Sequence, residues 1–260
     1  MNPARELSEL ELAEAIASWR SQGFAVIRDV ADTATCAALR DRLTAYIDGT
    51  HNDPGLFFQR DAGTGDYADV GFGQGYEGPN VPYRKIEKLE RDDRYLAWLS
   101  DPLFQRLAAL IFPGSVSLYR ATAFIKAAKV GSNLPWHQDG GRFWGLDRDP
   151  CFQVWTALDD APLEAGCLQF VPGSHHRGLA SPMGGLVPAE AAVGLEDLVV
   201  SVPARAGDVV LVHNLVWHRS GPNITSFPRR AFSVSYLDGQ TKCLRKKRAP
   251  RVFPQVFRAG

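Results

Sequence analysis

From about residue 115 onward, the chain consists of short strand-like runs separated by turn residues. Pro172-Gly173-Ser174 and Ala206-Gly207-Asp208 are two of these turns. Several short strands separated by such turns are typical of a β-sandwich or barrel. The sequence therefore predicts a mainly β fold whose core is a double-stranded β-helix, or jelly roll. The predicted strands cover residues 115–127, 151–158, 166–171, 198–203, 208–213 and 230–237.

The residues before this β half carry helix signals. Ser8 and Glu11 form a capping-box pattern, and Gly23 follows as a natural helix end. Asp32 or Thr33 can cap a second helix, and Asp101 with Pro102 begins a later one. The order of the elements, with the helices before the strands, predicts an N-terminal helical layer that packs against the jelly roll.

A length of 260 residues is compatible with one domain. Within it we predict a helical layer with a Gly-rich loop (1–112), the jelly-roll core (113–240) and a basic C-terminal segment (241–260). The Gly-rich and aromatic stretch 49–78 has neither helix nor strand periodicity. It is read as a surface loop or as a lid that closes over a site.

Composition gives no sign of a nucleic-acid or membrane partner. Lys and Arg together number 29, as do Asp and Glu, and no apolar run reaches membrane-spanning length. The basic run 242–251 is read as solvated, with nucleic-acid contact as the alternative. We expect a small-molecule substrate, while the oligomeric state cannot be read from the sequence.

The four cysteines Cys36, Cys151, Cys167 and Cys243 have no paired spacing. They are interpreted as buried or incidental thiols in a reducing compartment. The first residues lack a signal-peptide pattern. The expected location is therefore cytoplasmic.

Two histidines and a carboxylate are placed where one metal ion could bind them. His137 and Asp139 are two residues apart at the end of a predicted strand, so their side chains point to the same side. His218 follows the apolar run 209–212 at a strand-to-turn junction. His213 is the rival ligand, but in a regular strand it faces the opposite side. Two histidines and one carboxylate are the ligand set of non-haem iron(II) oxygenases.

Such an iron needs electrons to activate O₂, and a 2-oxo acid that chelates the metal can supply them. The distal carboxylate of 2-oxoglutarate would need a fixed cation, for which the planar fork of arginine is suited. Arg229 and Arg230 open a strand shortly after His218. Because they are adjacent, one of them points inward and the other outward.

At these positions the chain resembles the phytanoyl-CoA dioxygenase family of iron(II)- and 2-oxoglutarate-dependent oxygenases. The shared features cover roughly residues 80–240. They are Trp136-His137-Gln138-Asp139, Val154-Trp155-Thr156-Ala157-Leu158-Asp159, the run 166–175, Gly207-Asp208-Val209-Val210-Leu211-Val212-His213, His218-Arg219-Ser220-Gly221-Pro222-Asn223 and Arg229-Arg230-Ala231.

The resemblance implies that His137, Asp139 and His218 bind iron, and that Arg229, with Ser220 beside it, binds the distal carboxylate of 2-oxoglutarate. It also implies a set of residues that flank the cosubstrate: Gln138, Trp155, Lys85 and Thr122. The alternatives are a core aromatic for Trp155 and a solvated lysine for Lys85. Asp139 argues against halogenation, because related halogenases replace this carboxylate with a small residue.

The residues that follow the triad, Arg142, Phe143 and Trp144, are candidates for substrate contact. Aromatic and acidic residues of the 49–78 stretch would suit a sugar or an aminated sugar. We expect hydroxylation or oxidative ring closure of a natural product, as in antibiotic biosynthesis, with an aminoglycoside-type substrate as the leading candidate. The alternatives are a lipid, acyl or amino-acid hydroxylase, or a cupin-like metal isomerase or hydrolase that does not use 2-oxoglutarate.

Overall fold

The computed structural model describes residues 1–73, 75–148, 152–245 and 251–258. The helices of the described residues are α1 (Glu9–Gln22), α2 (Thr33–Ile47), α3 (Asp93–Leu99) and α4 (Pro102–Ala109). The strands are β1 (Phe24–Ile27), β2 (Phe57–Arg60), β3 (Tyr83–Glu87), β4 (Val116–Lys126), β5 (Leu134–Gln138), β6 (Phe152–Ala157), β7 (Leu168–Phe170), β8 (Gly185–Leu186), β9 (Val200–Val202), β10 (Val209–Val212), β11 (His218–Ser220), β12 (Arg229–Asp238) and β13 (Gln255–Phe257).

These strands form two antiparallel sheets. The larger sheet has the order β1-β10-β6-β12-β4-β3-β2, with β13 also paired to β4. The smaller sheet has the order β8-β5-β11-β7-β9. Apart from β2-β3 and β3-β4, neighbouring strands are not consecutive in the chain, as is typical of a jelly roll. The predicted mainly β fold with flanking helices is confirmed.

The helices cover the outer face of the larger sheet. Leu39 and Leu43 of α2 and Phe104 of α4 are fully buried in one apolar cluster with Phe232 and Val234 of β12. Alternation along β12 turns the neighbouring residues toward the smaller sheet. The helical layer thus buries one face of the sheet and leaves the other to line a space between the sheets.

The helix starts follow the predicted caps. The Ser8 hydroxyl accepts a hydrogen bond from the backbone N–H of Glu11, and the Glu11 carboxylate accepts one from the N–H of Ser8. Asp32 caps α2, so Thr33 is its first residue. Asp101 caps α4, as predicted. Helix α3 was not predicted, because its seven residues are too few for a clear periodic pattern.

The prediction that residues 49–78 contain no strand is wrong at Phe57–Arg60, which pairs with β3 at the edge of the larger sheet. Phe58 is buried there and packs edge-on against Tyr76 and Tyr83. A four-residue edge strand in a Gly-rich context gives little alternation in the sequence.

Cys36 and Cys167 are buried free thiols, and Cys243 is partly exposed; Cys151 lies outside the described residues. In the basic segment, residues 246–250 are also outside them. Before this gap, the side chains of Lys242, Leu244 and Arg245 are exposed. The backbone there is hydrogen-bonded to the core, since the N–H of Leu244 donates to the carbonyl of Gly145 at 2.8 Å. Within the described ranges, no helix combines the length and apolar character needed to cross a membrane.

Gly207 provides a direct test of the turn before β10. Its φ is +98°, and an added Cβ would overlap the carbonyl oxygen of Ala31. We expect Gly207→Ala to lower the free energy of unfolding by about 2 kcal/mol or more. Gly114→Ala is the matched control, because no atom lies within 4 Å of the position that its new methyl group would occupy. Equal urea midpoints for the two variants would contradict this explanation of the turn.

Candidate metal centre and active site

The antiparallel pairing of β5 with β11 places His137 directly opposite His218. Their ring centroids are 4.0 Å apart. Asp139 follows the end of β5, and its carboxylate lies 3.5 Å from Nε2 of His218 and 3.9 Å from Nε2 of His137. One ligand atom from each of the three side chains falls within 4.8 Å of the others. A single metal ion can therefore bind all three.

Backbone carbonyls select the tautomer of both histidines. Nδ1 of His137 is 2.9 Å from the carbonyl oxygen of Pro135, and Nδ1 of His218 is 2.9 Å from that of Val216. A carbonyl oxygen can only accept, so each Nδ1 carries the proton and donates. Each Nε2 is left with a free lone pair directed at the other ligands, which is the arrangement found in metal-binding histidines.

The protonation states of His137 and Asp139 also suit a cation. Burial lowers the pKa of His137 to about 4, so the imidazole is neutral at physiological pH. Burial would raise the pKa of Asp139, but its contacts with His218, His137 and Gln153 hold that pKa well below its ordinary value. Neutral imidazoles and an ionised carboxylate are the forms that bind metal.

Gln153 orients the carboxylate and was missed in the sequence. Its Nε2 donates to Oδ2 of Asp139 at 2.9 Å, and its Oε1 accepts from the hydroxyl of Ser235 at 3.2 Å. Gln153 belongs to β6 of the larger sheet, whereas Asp139 follows β5 of the smaller one. No local motif relates the two residues, since only the closing of the sandwich brings them together.

His213, the rival ligand, lies elsewhere. Its ring packs between Trp19 and His175, at centroid distances of 5.0 and 4.7 Å. Its Nδ1 accepts a hydrogen bond from the backbone N–H of Leu215. The preference for His218 over His213 agrees with this geometry.

The triad opens into a cavity of about 400 Å³ between the two sheets. It is lined by the triad together with five of the residues expected around the cosubstrate: Arg229, Ser220, Gln138, Trp155 and Lys85. Thr122, the sixth, is not among the lining residues. It lies between Arg120 and Phe124 on the cavity-facing side of β4, where its buried hydroxyl has no hydrogen-bond partner among the described residues.

The side chains of Arg229 and Arg230 point to opposite faces of β12, as predicted. Arg229 is 2% exposed, and its Nη2 donates to the carbonyl of Gly166 at 2.8 Å. Its guanidinium also lies 5.7 Å from the ring of Trp155. Arg230 turns outward and pairs with Asp159 at 2.7 Å.

The buried guanidinium of Arg229 is incompletely satisfied. Burial lowers its pKa to about 10, so the group remains a cation at physiological pH. Its Nε has no hydrogen-bond partner among the described residues. A buried, partly unsatisfied arginine in a cavity wall is well suited to an anionic ligand.

Two of the flanking residues already have protein partners. The amide of Gln138 donates to the carbonyls of Gly178 and Leu215 and accepts from the N–H of Ala180. Lys85 donates to Glu87 at 2.7 Å. Gln138 thus ties β5 to two neighbouring segments at the flank of the triad.

Phe143 and Trp144 line the cavity, whereas Arg142 is exposed and does not. The backbone of Phe143 donates to the carbonyl of Met183 at 3.0 Å. Gly184 follows at a φ of +69°, where an added Cβ would overlap the carbonyl of Gly140. Segments 140–145 and 181–186 therefore form one closely packed rim.

The aromatic residues of the 49–78 stretch do not gather at the cavity as expected. Tyr67 lines it, but Phe58 and Tyr76 pack together at the edge of the larger sheet. The three acids expected to bind an aminated substrate are engaged locally. Asp66 caps a short helix, Asp69 accepts a hydrogen bond from Thr64, and Glu77 lies 3.9 Å from Arg60. None of the three lines the cavity.

Comparison with known proteins agrees with this geometry. The family described as Phytanoyl-CoA dioxygenase (PhyH) matches residues 19–231. The chain belongs to the phytanoyl-CoA dioxygenase family. A relative named Phytanoyl-CoA dioxygenase domain-containing protein 1, from Danio rerio, is 25% identical across 86% of this chain and 89% of its own.

Solved structures share the fold. The epimerase SnoN, in complex with Fe3+, alpha ketoglutarate and nogalamycin RO, has a TM-score of 0.70 at 20% identity, covering 96% of this chain and 100% of its own. AviO1 from Streptomyces viridochromogenes Tue57 has a TM-score of 0.63 at 27% identity, covering 90% and 98%. These matches confirm the double-stranded β-helix.

Family membership and the triad make the chain an iron(II)- and 2-oxoglutarate-dependent oxygenase. The residues present fit both groups. His137, Asp139 and His218 supply the three-ligand set of such iron sites, and the orphaned Nε of Arg229 offers a donor for a carboxylate. When bound, iron and 2-oxoglutarate would activate O₂, which supplies the oxidising power needed to break a C–H bond.

The choice between the two candidate histidines can be tested by metal binding. We expect His218→Ala to weaken iron(II) affinity by more than about hundredfold, since loss of a ligand exceeds the effect of losing an outer partner. His213→Ala should leave iron(II) affinity unchanged. Anaerobic iron(II) titration of both variants provides the measurement, and the reverse pattern would assign the ligand to His213.

The role of Gln153 can be tested with a second glutamine as control. Gln153→Leu removes a donor to Asp139, so iron(II) affinity should fall on the order of 10–100-fold. Gln169 lies on β7, bonds to Ser201 and Arg219, and does not line the cavity. Gln169→Leu should keep the wild-type affinity. Equal affinities for the two variants would show that Asp139 needs no support from Gln153.

Proposed function

We propose that residues 1–260 act as one oxygenase domain that oxidises a C–H bond of a small molecule, by hydroxylation or by oxidative ring closure. In either case 2-oxoglutarate and O₂ yield succinate and CO₂, with one oxygen atom entering succinate. The second atom becomes the new hydroxyl group of the substrate. In a ring closure it leaves as water with two substrate hydrogens.

The observation that carries this proposal is the position of Arg229. It is buried in the wall of the same cavity as the triad, and its Nε has no hydrogen-bond partner among the described residues. On β12, Arg229, Ser233 and Ser235 share one face, and Ser235 bonds to the Gln153 that holds Asp139. A dicarboxylate bound between the triad and Arg229 would pass Ser233 and Trp155, which line the cavity between them.

In this proposal Ser220 and Trp155 form the walls around the distal half of 2-oxoglutarate. Both line the cavity, and Ser220 is 4% exposed. Gln138, Lys85 and Thr122 flank the cosubstrate from further away. The hydrogen bonds of Gln138 to the backbone suit a residue that fixes the shape of the site more than one that moves with the ligand.

We further propose a small-molecule natural product as the substrate. Support comes from SnoN, which shares the fold and is seen with nogalamycin RO. The aminoglycoside-type expectation loses its support, because Asp66 and Asp69 lie off the cavity. The presence of Asp139 in the triad favours oxygenation or ring closure over halogenation.

A cupin-like isomerase or hydrolase would need the triad but not Arg229. Arg229→Gln should weaken 2-oxoglutarate binding by about 100-fold, because truncating one side of a buried charged pair costs about 2–5 kcal/mol. Arg230→Gln is the matched control, and its affinity should stay within about twofold of wild type, since this arginine faces outward. Calorimetric titration of the iron-loaded proteins measures both affinities.

Unchanged affinity in Arg229→Gln would favour the cupin-like alternative. Succinate release in the presence of candidate acceptors tests the reaction itself. The proposal requires an acceptor whose oxidised product forms in proportion to succinate.

A further inference from the structure

Arg120 is a cavity-lining cation at the opposite end from Arg229. It lies on β4 opposite Ser235 of β12, whereas Arg229 pairs with Lys126, six residues further along β4. Ser235 is linked through Gln153 to Asp139. Arg120 therefore stands level with the metal ligands, on the side away from the proposed 2-oxoglutarate carboxylate site.

The guanidinium of Arg120 is held in place without using its hydrogen-bond donors. It lies 5.0 Å from the ring of Tyr119 and 5.2 Å from that of Trp144, two rings that stack on each other at 4.5 Å. Glu87 is its acidic neighbour, at 3.6 Å. Across the part of the chain that the structure describes, Arg120 donates no hydrogen bond.

Glu87 is not available to Arg120 alone, because its carboxylate also binds Lys85. Its Oε1 accepts a hydrogen bond from Lys85 at 2.7 Å, and the same atom is the one closest to Arg120. The side chain of Arg120 is 30% exposed, more than that of Lys85 or Glu87. Its donors thus remain available to a molecule in the cavity.

Basic side chains outnumber carboxylates among the residues that line the cavity. The five basic residues are Arg84, Lys85, Arg120, Lys126 and Arg229. Asp139 is the carboxylate among the described lining residues, and it belongs to the metal. Burial lowers the pKa of Lys126 well below its ordinary value, so the positive charge of the wall comes mainly from the other four residues.

The other basic residues of the wall donate hydrogen bonds, which Arg120 does not. Arg84 donates to Gln59 at 3.0 Å, Lys85 to Glu87, and Lys126 to the carbonyl of Ser132. Arg229 is already assigned to the distal carboxylate of 2-oxoglutarate. Arg120 differs from these four residues because it donates no hydrogen bond to any of the described residues.

The rim above the cavity is apolar. Phe143, Met183 and Leu186 all line the cavity and are 63%, 55% and 52% exposed. Phe143 is the neighbour of Trp144, on which Arg120 rests. A ligand that reaches Arg120 therefore passes apolar surface before it meets the charge.

We infer that Arg120 binds an anionic group of the substrate, a carboxylate or a phosphate, while the apolar body of the substrate lies against the Phe143–Met183–Leu186 rim. This inference rests on the proposed function and narrows its substrate class. Arg120 is then a specificity-determining residue, because it sets which end of the molecule faces away from the iron. An arginine fork can bind either oxyanion through two parallel hydrogen bonds.

The test uses matched charged and neutral probes on the anaerobic iron(II)·2-oxoglutarate enzyme. The pairs are 3-phenylpropanoate with 3-phenylpropanamide, and phenyl phosphate with phenol. Binding near the metal is followed through the change in the visible charge-transfer absorption of the complex. For wild type we expect at least one anion to bind about tenfold or more tightly than its neutral partner, as a charge-assisted hydrogen bond predicts. The pair with the larger preference identifies the oxyanion.

Arg120→Gln should abolish that preference while its 2-oxoglutarate affinity stays within about twofold of wild type. Arg120→Lys should retain part of the preference, which separates lost charge from misfolding. Arg148→Gln removes an exposed arginine that does not line the cavity, so the wild-type preference should persist. An anion preference that survives in Arg120→Gln, or no preference in wild type, would overturn the inference. Absence of the charge-transfer absorption in wild type would instead contradict the proposed function.

Discussion

His137 and His218 face each other on two paired strands of the smaller sheet, and the metal site is built around that pair. Each ring is fixed by a hydrogen bond to a carbonyl two residues earlier in its own chain segment. These two hydrogen bonds and the pairing of β5 with β11 together direct the two Nε2 atoms toward one metal position. Asp139 is added because the strand ends one residue after His137, so its carboxylate can fold back toward both rings.

The larger sheet supplies the other polar groups of the site. It provides Gln153 to hold Asp139, and it provides the cations of the cavity wall. Polar groups on its inner face are tolerated because its outer face is packed against α2 and α4 in an extended apolar cluster. The extended apolar cluster thus lies on the outer face of the larger sheet, and the metal site lies between the two sheets.

Local signals in the sequence were enough to predict many of the helices and strands. The capping box of Ser8 and Glu11 and the Asp101-Pro102 pair are complete within four residues, and both appear as predicted. The long strands β4 and β12 also carry their own alternation. By contrast, β8 and β11 have two and three residues, too few for any periodic pattern.

The site was predictable where a motif is contiguous and not where it spans the sheets. The His137-x-Asp139 pair is visible because a strand has a two-residue period, and adjacency alone indicated that Arg229 and Arg230 must diverge. Gln153 was missed because it meets Asp139 across the space between the two sheets. Arg120 was missed because its contacts with Glu87 and Trp144 join distant parts of the chain. The aminated-substrate expectation arose from composition, and composition does not say which way a side chain points.

The central claim is that one cavity holds both iron(II) and 2-oxoglutarate, between the triad and Arg229. Anaerobic titration of iron(II) and then 2-oxoglutarate into the metal-free protein, followed by visible absorption, tests it most directly. We expect no visible band with iron(II) alone and a metal-to-ligand charge-transfer band that saturates at one 2-oxoglutarate per chain. A protein that binds iron(II) at the triad but develops no such band would contradict the claim.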